Sequence, residues 1–201
     1  MISYGKQSIN QDDIDAVVDV LKSDFLTQGP KVVEFENDLA NYCEAKYAKA
    51  VNNGTAALHL AYLAIGLEQG DIVWTTPNTF VATANAALYC GATVDFVDID
   101  PKTYNLSIDY LKEKLIQAKK DNKLPKLVVP VHFAGQSCEM KAIWKLSKEY
   151  GFKVIEDASH ALGGEYLNNK VGNCEYSDMA VFSFHPVKMI TTGDGGAITP
   201  N

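Results

Sequence analysis

The 201-residue sequence contains no long apolar run. Nothing in it approaches the roughly 20 residues that cross a bilayer as a helix. Its first residues, Met1-Ile-Ser-Tyr-Gly-Lys6, lack the apolar centre of a secretory signal, so no membrane association is expected. Positive charge is also short: 18 Lys and Arg stand against 25 Asp and Glu, for a net charge of −7. That balance argues against a nucleic-acid footprint or a basic membrane patch. The four cysteines, Cys43, Cys90, Cys138 and Cys174, are scattered, with no C-x-x-C pair and no histidine at ligand spacing. This excludes a disulfide framework or a zinc site and leads to the expectation of reduced thiols in a cytoplasmic protein without a metal. No G-x-G-x-x-G follows the early strands, which removes the nicotinamide dinucleotide fingerprint. Repeats and low-complexity segments are missing as well. What is present is ordinary for a globular domain with a substantial core: 47% hydrophobic, 21% charged, 14 Gly and 7 Pro.

Periodicity supplies the architecture. After an irregular arm over residues 1–10, a helical period covers Gln11–Lys22, with Asp12 and Asp13 in its first turn. Gly29-Pro30 reads as a breaker, and a second helical pattern runs over Val32–Tyr42. Short apolar strands are then predicted at 48–51, 72–75, 94–98, 127–131, 153–156, 179–184 and 197–199, with helical patterns at 55–65, 79–89, 107–119 and 139–150 between several of them. Strands that are apolar nearly throughout and alternate with helices predict an α/β fold, a largely parallel seven-stranded sheet covered on both faces. The last two strands have no helix between them, so one antiparallel neighbour is expected. The chain stops at Asn201, directly after a strand-like run, which suggests a cut within a longer protein.

In such sheets, ligands sit at the carboxyl ends of the strands. After the first core strand, Gly54 and Thr55 open a helix, which either binds a phosphate or is simply N-capped by Asn53 or Thr55. Phe80 begins a later helix beside polar residues and either stacks on a flat ring or joins the core. Asp157 ends a buried strand and must be paired; the partner is a protonated heterocycle, a basic side chain or a capped segment. His160 either faces the same region or is a core histidine. Near the end, Met179–Phe184 stops at His185-Pro186, followed by Lys188 and a turn with Gly193, Gly195 and Gly196. A lysine in that apolar setting is either a desolvated amine able to attack a carbonyl or a loop residue whose head reaches solvent. Taken together, a phosphate cradle, a stacking ring, a carboxylate and an amine are the contacts that pyridoxal 5′-phosphate needs.

The motifs Leu26-Thr-Gln-Gly-Pro30, Asn53-Gly-Thr-Ala-Ala-Leu58, Pro77-Asn-Thr-Phe-Val-Ala-Thr-Ala-Asn85, Glu156-Asp-Ala-Ser-His-Ala-Leu-Gly163 and Phe182-Ser-Phe-His-Pro-Val-Lys188 span nearly the whole sequence. In that order they resemble the DegT/DnrJ/EryC1/StrS family of sugar aminotransferases. The resemblance implies the large domain of a type I, aspartate aminotransferase-like pyridoxal-phosphate enzyme. It also implies a small C-terminal domain, absent from this sequence, and a homodimer whose sites draw on both chains. By position, Lys188 would carry the Schiff base, Asp157 would partner the pyridine nitrogen and Phe80 would stack on the ring. Gly54, Thr55 and Ser183 would hold the phosphate, and His160 would stand where much of the family has glutamine. Tyr4 and the loop Asp24, Phe25, Leu26 and Thr27 match the family's substrate-contacting segment. Ser159–Tyr166 and Ser183–Gly196 look most like the branch that aminates C4 of a UDP-linked 4-keto sugar on the pseudaminic acid route, with L-glutamate as donor. Other readings are a different dTDP-, GDP- or UDP-keto sugar, or a non-catalytic scaffold or regulatory member of the fold. The family's dehydratase branch replaces the lysine with histidine, and Lys188 stands against it.

Overall fold

The computed structural model describes residues 5–201, so Tyr4 lies outside the described residues. Helix α1 (Gln11–Lys22) opens on a capping box: Asn10 Oδ1 accepts from the Asp13 amide at 3.1 Å, and Asp13 Oδ2 accepts from the Asn10 amide at 2.9 Å. Its apolar residues Ile14, Val17 and Leu21 stay exposed, and the helix buries no residue. Helix α2 (Pro30–Tyr42) begins two residues before the expected start. Pro30 was read as a breaker, but at the first helical position its missing N–H is no loss and its fixed φ suits the helix.

The remaining elements are β1 (Lys49–Val51), α3 (Gly54–Ala64), β2 (Ile72–Thr75), α4 (Val81–Tyr89), β3 (Thr93–Phe96), α5 (Ile108–Lys120), β4 (Leu127–Val128), a short 3-10 turn (Phe133–Gly135), α6 (Met140–Tyr150), β5 (Lys153–Asp157), β6 (Glu165–Tyr166), β7 (Asn169–Lys170), β8 (Met179–Ser183) and β9 (Gly196–Pro200). Seven strands form one sheet in the order β1-β9-β8-β5-β4-β2-β3. β8, β5, β4, β2 and β3 are mutually parallel, while β9 runs antiparallel to both β8 and β1. The expected antiparallel neighbour is therefore β9.

Two details depart from the pattern reading. Strand β4 was expected to reach Val131, but its ladder ends at Val128. Pro130 has no N–H to donate, and pairing resumes as a single bridge between Val131 and Asp157. The β6–β7 hairpin was not foreseen. Its turn residues Leu167 (φ 52°) and Asn168 (φ 69°) both lie in the left-handed region, and a leucine there carries no turn signal.

Alternation along each strand divides the core. Val73, Leu127, Val129, Ile155 and Val181 pack with α3 and α4 through Ala57, Leu58, Ala61, Ala86 and Ala87. Trp74, Val128 and Val154 pack on the other face with Leu111 and Leu115 of α5 and Ile143 and Leu146 of α6. Ala180, Phe182 and Phe184 meet Leu39 and Ala40 of α2. With both faces covered, buried polar residues also stand at the carboxyl ends of strands, Thr75 and Thr76 at β2 and Glu156 and Asp157 at β5.

All four cysteines are free thiols; Cys43, Cys138 and Cys174 are buried and Cys90 is partly exposed. Burial pushes the thiols of Cys43 and Cys174 up to about 12, and it also raises Cys90. A thiol reagent at neutral pH should therefore modify Cys90 first and slowly, with the other three reacting only after denaturation. Quantifying labelled peptides before and after adding urea checks this; fast native labelling at Cys43 or Cys174 would contradict the buried-thiol picture.

Candidate active site

A cavity of about 530 Å³ opens at this end of the sheet, lined by residues from the ends of β1, β2, β5 and β8. Its floor is the start of α3. Asn53 Oδ1 accepts from the Ala56 amide at 2.8 Å, and Asn53 O accepts from Ala57 at 3.0 Å. The capping reading of Asn53 is therefore correct, and it leaves the N–H groups of Gly54 and Thr55 without intrahelical partners at the positive end of the dipole. Ser183, at the end of β8, is pressed against this point: a Cβ on Gly54 would stand 3.0 Å from Ser183 Cβ and 3.3 Å from its Oγ. Across the β9 pairing, a Cβ on Gly196 would fall 2.5 Å from the Asn53 carbonyl and 2.7 Å from Gly54 N. Gly54, Thr55 and Ser183 thus form a tight donor cradle suited to a phosphate, and Gly196 is what lets the backbones approach.

Asp157 lies in the same cavity and is 4% exposed. No salt bridge among the described residues reaches it. Its carboxylate is held by hydrogen bonds: the Thr83 hydroxyl donates to Oδ2 at 2.6 Å and the Ser159 amide to Oδ1 at 3.2 Å. Thr79 Oγ lies 2.8 Å from Thr83 Oγ. Thr83 has one proton and gives it to Asp157, so the Thr79 hydroxyl must be the donor of that pair. Of the sequence alternatives for Asp157, the basic side-chain partner is absent, and the contact with Ser159 is a local turn bond.

Lys188 follows the β8 end through a turn closed by its own amide donating to His185 O at 2.8 Å. Burial lowers the pKa of its ammonium, while Asp157 pulls it back up. His160 is not a core histidine; it lines the cavity, with burial and the Lys188 charge lowering its pKa against the opposing pull of Asp157. Phe80 is not core either. It stands as the residue before α4, 71% exposed at the cavity wall, which is where a stacking side chain belongs. The loop Asp24–Thr27 is exposed and contributes no side chain to the lining. Sequence reasoning passed over Thr79 and Thr83 because one threonine just before an Ala-rich helix and one within its first turn look like filler.

With this geometry established, comparison with known proteins is decisive. The profile of the DegT/DnrJ/EryC1/StrS aminotransferase family matches residues 7–201. The chain belongs to that family. Over all 201 residues it is 48% identical to the UDP-4-amino-4,6-dideoxy-N-acetyl-beta-L-altrosamine transaminase of Campylobacter jejuni, covering 100% of this chain and 52% of that one. The structure superposes with a TM-score of 0.91 on Helicobacter pylori PseC, an aminotransferase involved in pseudoaminic acid biosynthesis, at 39% identity, covering 99% of this chain and 52% of that one. A sugar aminotransferase from Streptococcus pneumoniae in its PLP form gives 0.88 at 28% identity, covering 100% of this chain and 53% of that one. The chain therefore spans about half the length of the relatives it matches, and its fold is that of the type I aminotransferases.

Thr83→Val removes the one side-chain donor to a buried carboxylate and should cost about 1.5–3 kcal/mol of stability. Urea denaturation of the valine and serine variants checks this; Thr83→Ser should recover most of the loss because it keeps the hydroxyl.

Proposed function

We propose that this chain is the cofactor-binding part of a pyridoxal-phosphate aminotransferase. The whole enzyme moves an amino group from L-glutamate to C4 of a nucleotide-linked 4-keto-6-deoxy sugar, here UDP-2-acetamido-2,6-dideoxy-β-L-arabino-hexos-4-ulose. One observation carries the reading: Lys188, an unpaired buried Asp157 and an open helix N-terminus share one cavity. The identity to the altrosamine transaminase supports the choice of sugar.

The residues present fit the cofactor. Asp157 is a buried carboxylate without a cation, and it can hold the proton of the ring nitrogen. The Gly54 and Thr55 amides with the Ser183 hydroxyl suit the phosphate, and Phe80 can cover a ring face. When bound, pyridoxal phosphate supplies an aldehyde for amine exchange and an electron-withdrawing ring. Burial makes Lys188 more readily a free amine, so it would serve as the nucleophile toward a carbonyl and as the base and acid that takes up and returns a proton within the cavity. His160, kept deprotonated by burial and by Lys188, can accept or share a hydrogen bond beside the lysine without adding positive charge. The small C-terminal domain and Tyr4 with the Asp24–Thr27 loop remain parts of the proposal, as suppliers of the sugar side of the site.

We place the whole enzyme in the cytoplasm as a homodimer. Leu60 and Leu63 of α3 and Leu88 and Tyr89 of α4 are all exposed, an apolar face available to a second copy. Light scattering on the purified protein should give twice the chain mass, and an Asp substitution at Leu63 should shift it toward monomer; a monomeric wild type would remove the dimer from the proposal.

The cofactor assignment is tested by incubating with pyridoxal phosphate, reducing with borohydride and mapping the adduct by mass spectrometry. A phosphopyridoxyl group should appear on Lys188 and persist at pH values where ordinary lysines are protonated and unreactive. Label scattered over surface lysines would leave the fold without this chemistry. With L-glutamate and the UDP-linked keto sugar, release of 2-oxoglutarate is expected; turnover of a GDP- or dTDP-linked sugar instead would reassign the substrate.

A further inference from the structure

On the sheet face opposite the cavity lies a second buried carboxylate that the proposed reaction does not use. Glu156 and Asp157 are consecutive at the end of β5, so their side chains leave opposite faces. Glu156 is 5% exposed and meets His132, whose side chain is wholly buried. His132 Nε2 lies 2.7 Å from Glu156 Oε2, the Ser177 hydroxyl donates to Glu156 Oε1 at 2.5 Å, and the Cys138 amide donates to His132 Nδ1 at 3.1 Å.

That last contact fixes the proton. Burial disfavours the imidazolium, whereas Cys138 and Glu156 favour it. A backbone amide can only donate, however, so the nitrogen it faces carries no proton. The ring is neutral, with its single proton on Nε2 and directed at Glu156.

The same residue is tied to Asp157 through the main chain. The His132 amide donates to Asp157 O at 3.1 Å, and the Asp157 amide donates to Pro130 O at 2.9 Å. Past His132 the chain makes the 3-10 turn, with Ala134 at φ 53°, and Phe133 sets its ring edge-on to His160 at 6.5 Å between centroids. One anchor therefore holds the last residue of β5 by its backbone and by its neighbour's side chain, and also supports the turn behind His160.

We propose that His132, with Glu156 as its acceptor, is a positioning residue that holds Asp157 at the depth and rotation needed to meet the ring nitrogen of the cofactor. It touches neither cofactor nor substrate. The inference rests on Asp157 being that nitrogen's partner.

Nitrogen NMR of the histidine rings tests the lock without any cofactor: His132 should show the Nε2–H tautomer alone and unchanged between about pH 5 and 8. An imidazolium or the Nδ1–H tautomer would overturn the proposal. In the protein loaded with pyridoxal phosphate, Glu156→Ala and His132→Leu should raise the pH midpoint of the lysine–cofactor absorbance band. A ring nitrogen that loses its proton no longer repels the proton on the lysine nitrogen. The saturating rate of the glutamate half-reaction should fall about tenfold, equivalent to about 1.4 kcal/mol, with the half-saturating glutamate concentration little changed. Glu156→Gln keeps an oxygen to accept the Nε2 proton and should restore midpoint and rate. If His132→Leu does not fold, the alanine and glutamine variants at Glu156 carry the comparison. Variants that melt earlier but keep the wild-type midpoint and rate would reduce the pair to a structural staple and overturn this inference alone. A wild type with no such band would overturn the cofactor reading, and this inference with it.

Discussion

Two carboxylates side by side at the end of one buried strand set the terms for the surrounding structure. A carboxylate removed from water is costly unless it is charge-paired or fully hydrogen-bonded, and no lysine reaches either side chain. Each is instead met by neutral donors on its own face: Thr83 and Ser159 for Asp157, His132 and Ser177 for Glu156. This requirement reaches outward. Thr83 must sit on the inner face of α4, so α4 must pack against the β5 end. The buried Tyr62 hydroxyl donates to Thr83 O at 2.9 Å and ties α3 to the same place. Burial holds that phenol's pKa well above its ordinary value, so it remains a donor.

The cradle at α3 is a steric solution where the carboxylates are an electrostatic one. β9 runs antiparallel between β1 and β8, which brings Gly196 opposite both Val51 and Ser183. The three strands then converge beneath the start of α3 so closely that a side chain at 196 would strike backbone, not a yielding side chain. Backbone amides can approach a ligand only where side chains do not intervene, and the glycines at 54 and 196 clear that space. The sequence contains no arginine. Among the described residues, a phosphate bound here would be met by amide dipoles and a hydroxyl, with Lys188 as the one lysine in the lining.

How much of this could be read from the sequence follows from which signals are local. Helical periods and apolar runs report burial, so helices such as α6, which buries Met140, Ile143 and Leu146, and the seven strands of the sheet were legible. Lys188, Asp157 and Phe80 were legible because each falls at a strand or helix end, where a parallel sheet places its ligands. Thr83 and His132 were not. Thr83 resembles its Ala-rich surroundings until the partner at position 157 is known, and His132 gains meaning only through Glu156 and the Cys138 amide, contacts made by sheet order and loop path. α1 shows the opposite limit: its period was correct, yet within residues 5–201 its apolar stripe finds no cover.

The charges in the cavity favour one kind of ligand. Burial lowers the pKa of both Lys188 and His160, and each cationic form would repel the other, so they tend toward neutral bases. Asp157 opposes both shifts, but its two oxygens are already held by Thr83 and Ser159, which fix the direction of its remaining lone pairs. A small cation would satisfy the carboxylate and leave the α3 amides empty; a simple anion would do the reverse. A ligand with a protonated ring nitrogen at one end and a phosphate at the other would satisfy both, in a cavity that also holds an amine burial has made easier to deprotonate.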